Sequence, residues 1–197
     1  MISPLLVENS ETVANIHLEG LPDDFLPSLG LNFLKIFYEG ILEQSNIFGF
    51  VSQENNEVTG FVIGTENMTK FFNQAIMSRF FTLSYIVLKQ ILKKPQIIGK
   101  VLESLFFPNK ETGPDAELVV IAVDNKFRGK NIGRELINAL ESELINREIK
   151  EYKVSVTSQN KRANRFYEKL GFNFFNTFIL YDKSFNLLKK DLTGQST

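Results

Sequence analysis

The chain has 197 residues, of which 43% are hydrophobic and 23% charged, as in an ordinary folded domain with a sizeable core. Its net charge of −1 gives no bulk electrostatic case for nucleic-acid binding. It has no cysteine and one histidine, which excludes disulfides and acyl-cysteine intermediates and argues against a zinc centre. The N-terminus lacks the pattern of a signal peptide, and no run of about twenty uncharged apolar residues predicts a membrane-spanning helix.

The first twenty residues predict a short strand and a helix. Residues 2–7 favour a strand that the early proline interrupts. Ser10 is placed to cap a helix over residues 11–19, whose apolar positions lie on one side. His17 lies on this helix, and we expect it to be an ordinary surface histidine.

A loop, a second helix and a hairpin follow. Residues 20–29 contain two prolines and two aspartates and predict a loop, and residues 31–43 predict a helix with a broad apolar stripe. Two strands over residues 47–52 and 58–64 flank an asparagine pair suited to a hairpin turn. The two glycines of the second strand predict a bulge or a close backbone approach.

Residues 67–110 form a basic, aromatic segment before the next strand. Seven basic residues and one acidic residue give the segment a net charge of +6, and the rest of the chain therefore carries −7. Helical periodicity covers residues 68–92, Pro95 ends it, and a second helix is predicted over residues 96–107. Such helices can form a lid or packing layer, a dimer surface or an amphipathic contact with a membrane surface, and the sequence leaves these three open.

The next part of the chain predicts a strand, a tight turn and a helix. A turn-rich stretch over residues 109–116 leads to an apolar run that ends at Asp124, and helical periodicity begins at Ile132. Free N–H groups and the dipole at a helix start attract anions, and the turn between them is rich in lysine and arginine. The pattern favours a pyrophosphate cradle, but ordinary α/β turns also contain glycine and lysine. It is neither a Walker loop nor a G-x-G-x-x-G fingerprint.

The C-terminal part predicts three strands and one short helix. Residues 151–157 alternate and predict a strand, and residues 160–170 predict a helix closed by glycine. Strands over residues 172–181 and 185–190 form a second predicted hairpin, followed by a polar tail over residues 193–197. This order of elements predicts an α/β fold, a mixed sheet with helices on both faces.

Two motifs about thirty residues apart carry a family resemblance. The first is F-R-G-K-N-I-G-R over residues 127–134, and the second is N-K-R-A-N-R-F-Y-E-K-L-G-F over residues 160–172. Together they resemble the GCN5-related N-acetyltransferase (GNAT) family, specifically over residues 117–172. The resemblance implies one acetyltransferase domain over residues 1–197, with a mostly antiparallel twisted sheet that splays near its central strand. The helical segment 67–110 is then an insertion before that strand.

The resemblance also implies acetyl-coenzyme A as the cofactor. The signature Q/R-x-x-G-x-G/A falls on Arg128, Asn131 and Gly133, and Asn131 departs from the usual glycine. Asparagine tolerates left-handed backbone better than most residues, so we expect the turn to form. Backbone N–H groups of the turn would hold the pyrophosphate, and the preceding strand would pair with the pantetheine arm. The implied cofactor contacts are Ile121, Ala122, Val123, Arg128, Gly129, Lys130, Asn131, Ile132, Gly133, Arg134, Asn160 and Ala163.

Two residues match catalytic positions of the family. Tyr167 matches the general acid that protonates the departing thiolate, and Glu117 matches a base that removes a proton from the amine, directly or through water. Backbone N–H near Val123 would stabilise the oxyanion. The alternatives are that Tyr167 is a core aromatic beside Phe166 and that Glu117 is a solvated carboxylate at a strand end. Without cysteine, the acceptor would attack directly in a ternary complex.

The acceptor is a matter of expectation. The run from His17 to Leu34 looks like a subgroup acting on small amines, with an amino sugar as one example. Asp23 and Asp24 are candidates for holding a cationic amine, or they are ordinary loop or capping carboxylates. The other class of function is a non-catalytic protein on the same fold that binds an acyl-coenzyme A or docks on a partner or membrane. We expect a cytoplasmic protein, where acetyl-coenzyme A is available.

Overall fold

A computed structural model describes residues 1–106 and 113–194 of the chain. Predictions for residues 107–112, at the end of the insertion, and for the last three residues of the tail lie outside this part. The strands are β1 (Ile2–Pro4), β2 (Ile47–Glu54), β3 (Glu57–Thr65), β4 (Glu117–Val123), β5 (Glu151–Thr157), β6 (Asn173–Leu180) and β7 (Lys183–Asp191). The α-helices are α1 (Ser10–Gly20), α2 (Leu31–Leu42), α3 (Met68–Ser78), α4 (Phe80–Lys93), α5 (Ile98–Phe106), α6 (Ile132–Asn146) and α7 (Lys161–Lys169).

The seven strands form one mixed sheet in the order β1-β2-β3-β4-β5-β7-β6. Neighbours are antiparallel except β4 and β5, which run parallel. One apolar cluster joins the sheet to α1, α2 and the inserted α3 and α4, and a second joins it to α6 and α7. Helices therefore cover both faces, which confirms the predicted fold class.

Both predicted hairpins close with two-residue turns in left-handed backbone. Asn55 and Asn56 have φ values of 52° and 64° between β2 and β3. Tyr181 and Asp182 have φ values of 54° and 59° between β6 and β7. Such turns match the twist of the strands they connect. β2, β3 and β7 extend further than predicted, whereas β6 is one residue shorter at each end.

The sheet opens between β4 and β5. These strands pair at only two positions, Glu117 with Lys153 and Leu118 with Val154. On the other side of β4, the register with β3 shifts so that Val119 is an extra, bulged residue. The rest of β4 continues to pair with β3 alone. A gap therefore widens toward the carboxyl ends of β4 and β5, as the predicted splay requires.

The insertion differs from the prediction at Arg79, where the periodic stretch is broken into two helices. Arg79 has φ −134° and ψ 35°, outside the helical region. Its guanidinium lies 2.7 Å from the Glu43 carboxylate just beyond α2. Phe71 on α3 and Leu83 on α4 are buried in the cluster that contains α2. The break thus lets two short helices, rather than one long one, lie on α2.

Two predictions for α1 were wrong. A 3-10 turn over Val7–Asn9 precedes the helix, so Ser10 is its first residue, and the Ser10 hydroxyl turns back to donate to the Val7 carbonyl. His17 is not on the surface. It is only 3% exposed, and its Nδ1 lies 2.5 Å from the Tyr38 hydroxyl in the core between α1 and α2.

The buried histidine predicts a dependence of stability on pH. Burial lowers the pKa of His17 to about 4, below its value of about 6.5 in an unfolded chain. As the pH falls below 6.5, the unfolded chain gains this proton first, so stability is full above about pH 6.5 and falls toward pH 4. We expect the free energy of unfolding to drop by roughly 2 kcal/mol between pH 7.5 and 5 from this group.

Urea titrations at pH 7.5 and pH 5 measure this difference. Because the chain has no second histidine, a His17→Gln variant should have a flatter profile over the same interval. Equal slopes for the variant and the wild type would show that His17 does not titrate as its burial predicts.

Candidate active site

The turn between β4 and α6 has the backbone that the sequence predicts. The Asp124 side chain accepts a hydrogen bond from the Lys126 N–H at 2.8 Å and starts a short 3-10 turn. Gly129 and Asn131 then adopt left-handed conformations, with φ values of 85° and 66°. Asn131 precedes the first residue of α6. The departure from glycine at this position is therefore accommodated, as predicted.

This turn presents five consecutive backbone donors. In the described part of the chain, no acceptor is found for the N–H groups of residues 129–133. A Cβ added to Gly129 would meet nothing within 4 Å, so the space above the turn is open. Free donors at a helix start, in open space, suit a bound anion such as a diphosphate. Residues 129–133, which we call the cradle, are therefore suited to bind the pyrophosphate of coenzyme A.

The basic side chains of the turn make different contacts. The Arg128 guanidinium donates to the Val123 carbonyl at 3.3 Å and to the Gly20 carbonyl at 3.2 Å, which ties the turn to β4 and α1. Lys130 lies 3.1 Å from the Glu54 carboxylate at the β2–β3 hairpin. Arg134 is exposed on the first turn of α6. The structure therefore shows Arg128 as a tether, while the backbone supplies the free donors.

The predicted pantetheine strand borders the gap in the sheet. Ile121 and Val123 are partly exposed and belong to the side of the sheet covered by α6 and α7. Ala122 points to the opposite side and is 5% exposed. The strand leads directly from the gap to the turn at Asp124. Cradle and gap are thus continuous, because one segment of chain forms both.

Asn160 and Ala163 lie together at the start of α7. The Asn160 side chain caps the helix by accepting the Ala163 N–H at 3.0 Å. Asn164, which was not predicted, donates to the Thr157 and Asn160 carbonyls and accepts from Asn186 on β7. Asn164 anchors α7 to β5 and β7. The hydrogen bond between Asn164 and Asn186 could not be predicted from the motif, because Asn186 is distant in the sequence.

Tyr167 lies on α7 within the cluster between the sheet and α6. It is 5% exposed, and its ring packs edge-on against Phe166 and Phe172, with centroids 5.4 and 5.2 Å apart. None of the described residues hydrogen-bonds its hydroxyl. Burial raises the pKa of Tyr167 above its usual value, so the hydroxyl keeps its proton at neutral pH. A protonated hydroxyl without a described partner can act as a proton donor, whereas the raised pKa makes Tyr167 a weaker acid and, with the packing, fits the core-aromatic alternative.

Glu117 is buried where β4 and β5 join. It is 4% exposed, so the alternative of a solvated strand-end carboxylate is wrong. Its carboxylate accepts the Ser155 hydroxyl at 3.0 Å, and the buried Lys153 ammonium lies 3.8 Å away. Ser155 alternates with Val154 and Val156, which belong to the cluster with α6 and α7. Glu117 and Tyr167 therefore lie on opposite faces of the sheet, beside the strands that the gap separates.

Asp23 and Asp24 lie where the α1–α2 loop meets the β6–β7 turn. The Lys183 ammonium donates to the Asp23 carbonyl at 2.9 Å. Although the Asp24 side chain is open to solvent, desolvation by the surrounding protein raises the pKa of Asp24, and the Lys183 ammonium opposes that rise. Neither aspartate caps a helix, so of the alternative roles only that of an ordinary loop carboxylate agrees with the structure. The structure records no contact of either with Glu117 or Tyr167.

The inserted α5 reaches the same corner, a contact that was not predicted. The Tyr181 hydroxyl lies 2.5 Å from the Ser104 hydroxyl, and the Tyr181 N–H donates to the Glu103 carboxylate at 2.8 Å. The Tyr181 ring also packs on Phe25, with centroids 4.9 Å apart. One tyrosine in a turn thus joins α5 to the α1–α2 loop.

No helix in the described ranges is long and apolar enough to span a bilayer.

Solved structures share this fold along nearly the whole chain. The ribosomal-protein-S18-alanine N-acetyltransferase from Escherichia coli is 15% identical with a TM-score of 0.61, covering 98% of this chain and 93% of its own. NAA60 from Arabidopsis thaliana, solved in complex with acetyl-CoA, is 14% identical with a TM-score of 0.61, covering 97% of each chain. The PaiA N-acetyltransferase from Thermoplasma acidophilum, in complex with coenzyme A, is 15% identical with a TM-score of 0.61, covering 97% and 99%.

These identities establish the fold only, and the family is established by a separate comparison. No curated protein sequence matches the chain significantly. The model of the Acetyltransferase (GNAT) family matches residues 11–172, which include β4, the cradle, β5 and α7. Because this match covers most of the chain, it shows that the chain belongs to the GNAT family of acetyltransferases, as its two motifs predict.

Proposed function

We propose that the protein transfers an acetyl group from acetyl-coenzyme A to a primary amine of a small molecule. The observation that carries the proposal is the run of five backbone donors over residues 129–133, which lies beside the gap between β4 and β5. The donors suit the diphosphate of coenzyme A, and the gap gives its acyl arm a path into the sheet. Acetyl-coenzyme A is available in the cytoplasm, where we place the reaction.

The cofactor contacts divide by element. Residues 129–133 would hold the diphosphate through their backbone N–H groups, with Arg128 keeping the turn in place. The Arg134 N–H donates to the Asn131 carbonyl at 3.0 Å, so Arg134 would contact the diphosphate through its exposed side chain. Ile121, Ala122 and Val123 would border the acyl arm, and Asn160 and Ala163 would approach it from the start of α7. Bound acetyl-coenzyme A supplies an activated thioester carbonyl, and every other part of the chemistry falls to side chains and backbone of this chain.

Each proton then has a place in the proposed mechanism. Glu117, directly or through water, takes a proton from the amine, whose nitrogen bonds to the acetyl carbon. Backbone N–H at the open edge of β4 near Val123 stabilises the oxyanion. Tyr167 donates its hydroxyl proton to the sulfur as the carbon–sulfur bond breaks. Because the chain has no cysteine, no acyl-cysteine forms and the transfer is direct, within a ternary complex.

The corner at Tyr181 supports a small acceptor. In the GNAT fold the α1–α2 loop borders the acceptor cleft, and here Tyr181 joins that loop to α5 of the insertion. Such a bridge narrows the approach for a folded protein more than for a small amine. Asp23 and Asp24 supply negative charge for a cationic amine at this corner. The resemblance of residues 17–34 makes an amino sugar the first acceptor to test.

The experiment is release of free coenzyme A from acetyl-coenzyme A with a panel of amino sugars, other small amines and peptide N-termini. Release that requires a small amine supports the proposal. Release with peptides alone would overturn the small-molecule acceptor, and binding without any amine-dependent release would favour the non-catalytic alternative. In the same assay Glu117→Gln should lower kcat at least about tenfold, as loss of a general base does. An unchanged kcat would remove Glu117 from the mechanism.

A further inference from the structure

The insertion exposes a row of large apolar side chains on α4. Phe81, Tyr85, Leu88 and Leu92 recur at helical spacing and are 87%, 58%, 56% and 75% exposed. Residues at this spacing lie along one side of a helix. We call this row the α4 outer face. The opposite side of α4 is buried through Leu83 against the core with α2, so the outer face is not needed to hold the helix on the domain.

Large apolar side chains are also exposed on the neighbouring elements. Met77 before α4 is 72% exposed, and Ile98 and Leu102, one turn apart on α5, are 50% and 52% exposed. The row on α4 is by itself a run of large exposed apolar side chains, and such patches in soluble proteins often mark an interaction site. The row on α4 is about 17 Å long at the rise of an α-helix. A binding partner for this row must therefore present a long, shallow apolar surface.

The charge around the face selects the occupant. Residues 67–106 contain six basic residues and one acidic residue, and α4 itself contains no acidic residue. Lys89, Lys93 and Lys94 are exposed, and the Lys89 ammonium lies 4.6 Å over the Tyr85 ring. A second copy of this face would bring further basic side chains and no carboxylate from α4, so it offers no complementary charge. An anionic surface, in contrast, is complementary to the face.

We propose that the α4 outer face docks on the surface of an anionic lipid bilayer. The apolar row would enter the boundary between headgroups and acyl chains, with α4 parallel to the membrane plane. Lys89, Lys93 and Lys94 have stems long enough to keep their ammonium groups at the level of the phosphates. A groove of about 440 Å³ between α4 and the start of α2 is lined by Lys89 and Lys93 and offers room for a headgroup. Docking leaves the cradle free, since none of the predicted cofactor contacts lines this groove.

The test is co-sedimentation of the full chain with vesicles of phosphatidylglycerol and phosphatidylcholine, against vesicles of phosphatidylcholine alone. We expect binding to the anionic vesicles that weakens as salt is raised. Leu88→Glu with Leu92→Glu should weaken vesicle affinity at least about tenfold, since it places two carboxylates in the apolar row. The matched control is Ile179→Glu on β6, which is 67% exposed and lies outside the insertion.

A charge series separates the electrostatic part. Lys93→Glu with Lys94→Glu should also lose at least about tenfold in affinity, whereas Lys150→Glu with Lys169→Glu, exposed elsewhere, should not. Thermal unfolding of every variant verifies that the fold is kept.

Three results would overturn the proposal: no sedimentation with anionic vesicles, equal sedimentation with both vesicle types, or unchanged binding by the Leu88/Leu92 variant. A fourth would be a wild-type dimer, seen by sedimentation equilibrium without lipid, that the same variant converts to monomer. That outcome would assign the face to contact between copies of the chain.

Discussion

Gly133→Glu is expected to abolish the thermal stabilisation that acetyl-coenzyme A gives the wild-type protein. Gly133 is the second residue of α6, and its N–H is one of the five donors of the cradle. A glutamate in the first turn of a helix is favourable to the helix itself, so the variant should fold. The same carboxylate would repel a diphosphate at that end of the helix. At about a hundred times its dissociation constant, the ligand stabilises the wild type by roughly 2.7 kcal/mol, and the variant should show none of this.

A Gly133→Ala variant separates the effect of the added negative charge on ligand binding from the effect of the added side-chain volume. The added Cβ would lie 3.2 Å from the Phe166 ring, so the ring must move by a few tenths of an ångström but no charge is introduced. We expect the alanine variant to keep most of the ligand-induced shift in Tm. Loss of the shift in both variants would mean that space at Phe166 decides binding. A full shift in the glutamate variant would show that the diphosphate binds elsewhere.

The cradle was predictable because everything that shapes it is local. Asp124, the glycine at 129 and the start of α6 lie within nine residues of one another in the sequence. Capping, left-handed backbone and helix periodicity are properties of such short stretches. Even the departure at Asn131 could be interpreted, since asparagine reaches φ 66° at low cost.

The surroundings of the other site residues could not be predicted from the sequence, because they depend on contacts between distant elements. Glu117 is an unremarkable strand-end glutamate until the parallel pairing with β5 places Lys153 and Ser155 beside it. The burial of His17 depends in the same way on Tyr38 from another helix.

The insertion was predicted as a unit but not in its contacts. Composition located a basic, aromatic helical segment and left three roles open for it. Which apolar residues are core and which are surface depends on the side of α4 that faces α2. Leu83 and Leu88 have the same side chain, yet they are 7% and 56% exposed. Such a difference follows from packing alone, and it is the basis for assigning the outer face to a membrane surface.

Tyr167→Phe is expected to lower kcat at least about tenfold, within the range that general-acid catalysis contributes. The phenylalanine ring keeps the edge-on packing against Phe166 and Phe172, so neither the fold nor the affinity for acetyl-coenzyme A should change. Only the proton for the departing sulfur is lost. Steady-state kinetics with a saturating amine, together with the ligand-induced shift in Tm, measure the two effects separately.

Tyr152→Phe is the matched control, because Tyr152 lies in the same cluster but its hydroxyl is already engaged. That hydroxyl donates to the Glu141 carboxylate at 2.6 Å, and the buried Lys190 ammonium lies 2.6 Å from the same oxygen. Removing it should cost about 1–3 kcal/mol of stability, because a buried charged network loses a hydrogen bond. It should leave kcat unchanged, since no reacting atom depends on it. If instead Tyr167→Phe lost stability and kept its kcat, Tyr167 would be the core aromatic of the alternative interpretation, and the sulfur would have to take its proton from another group or from water.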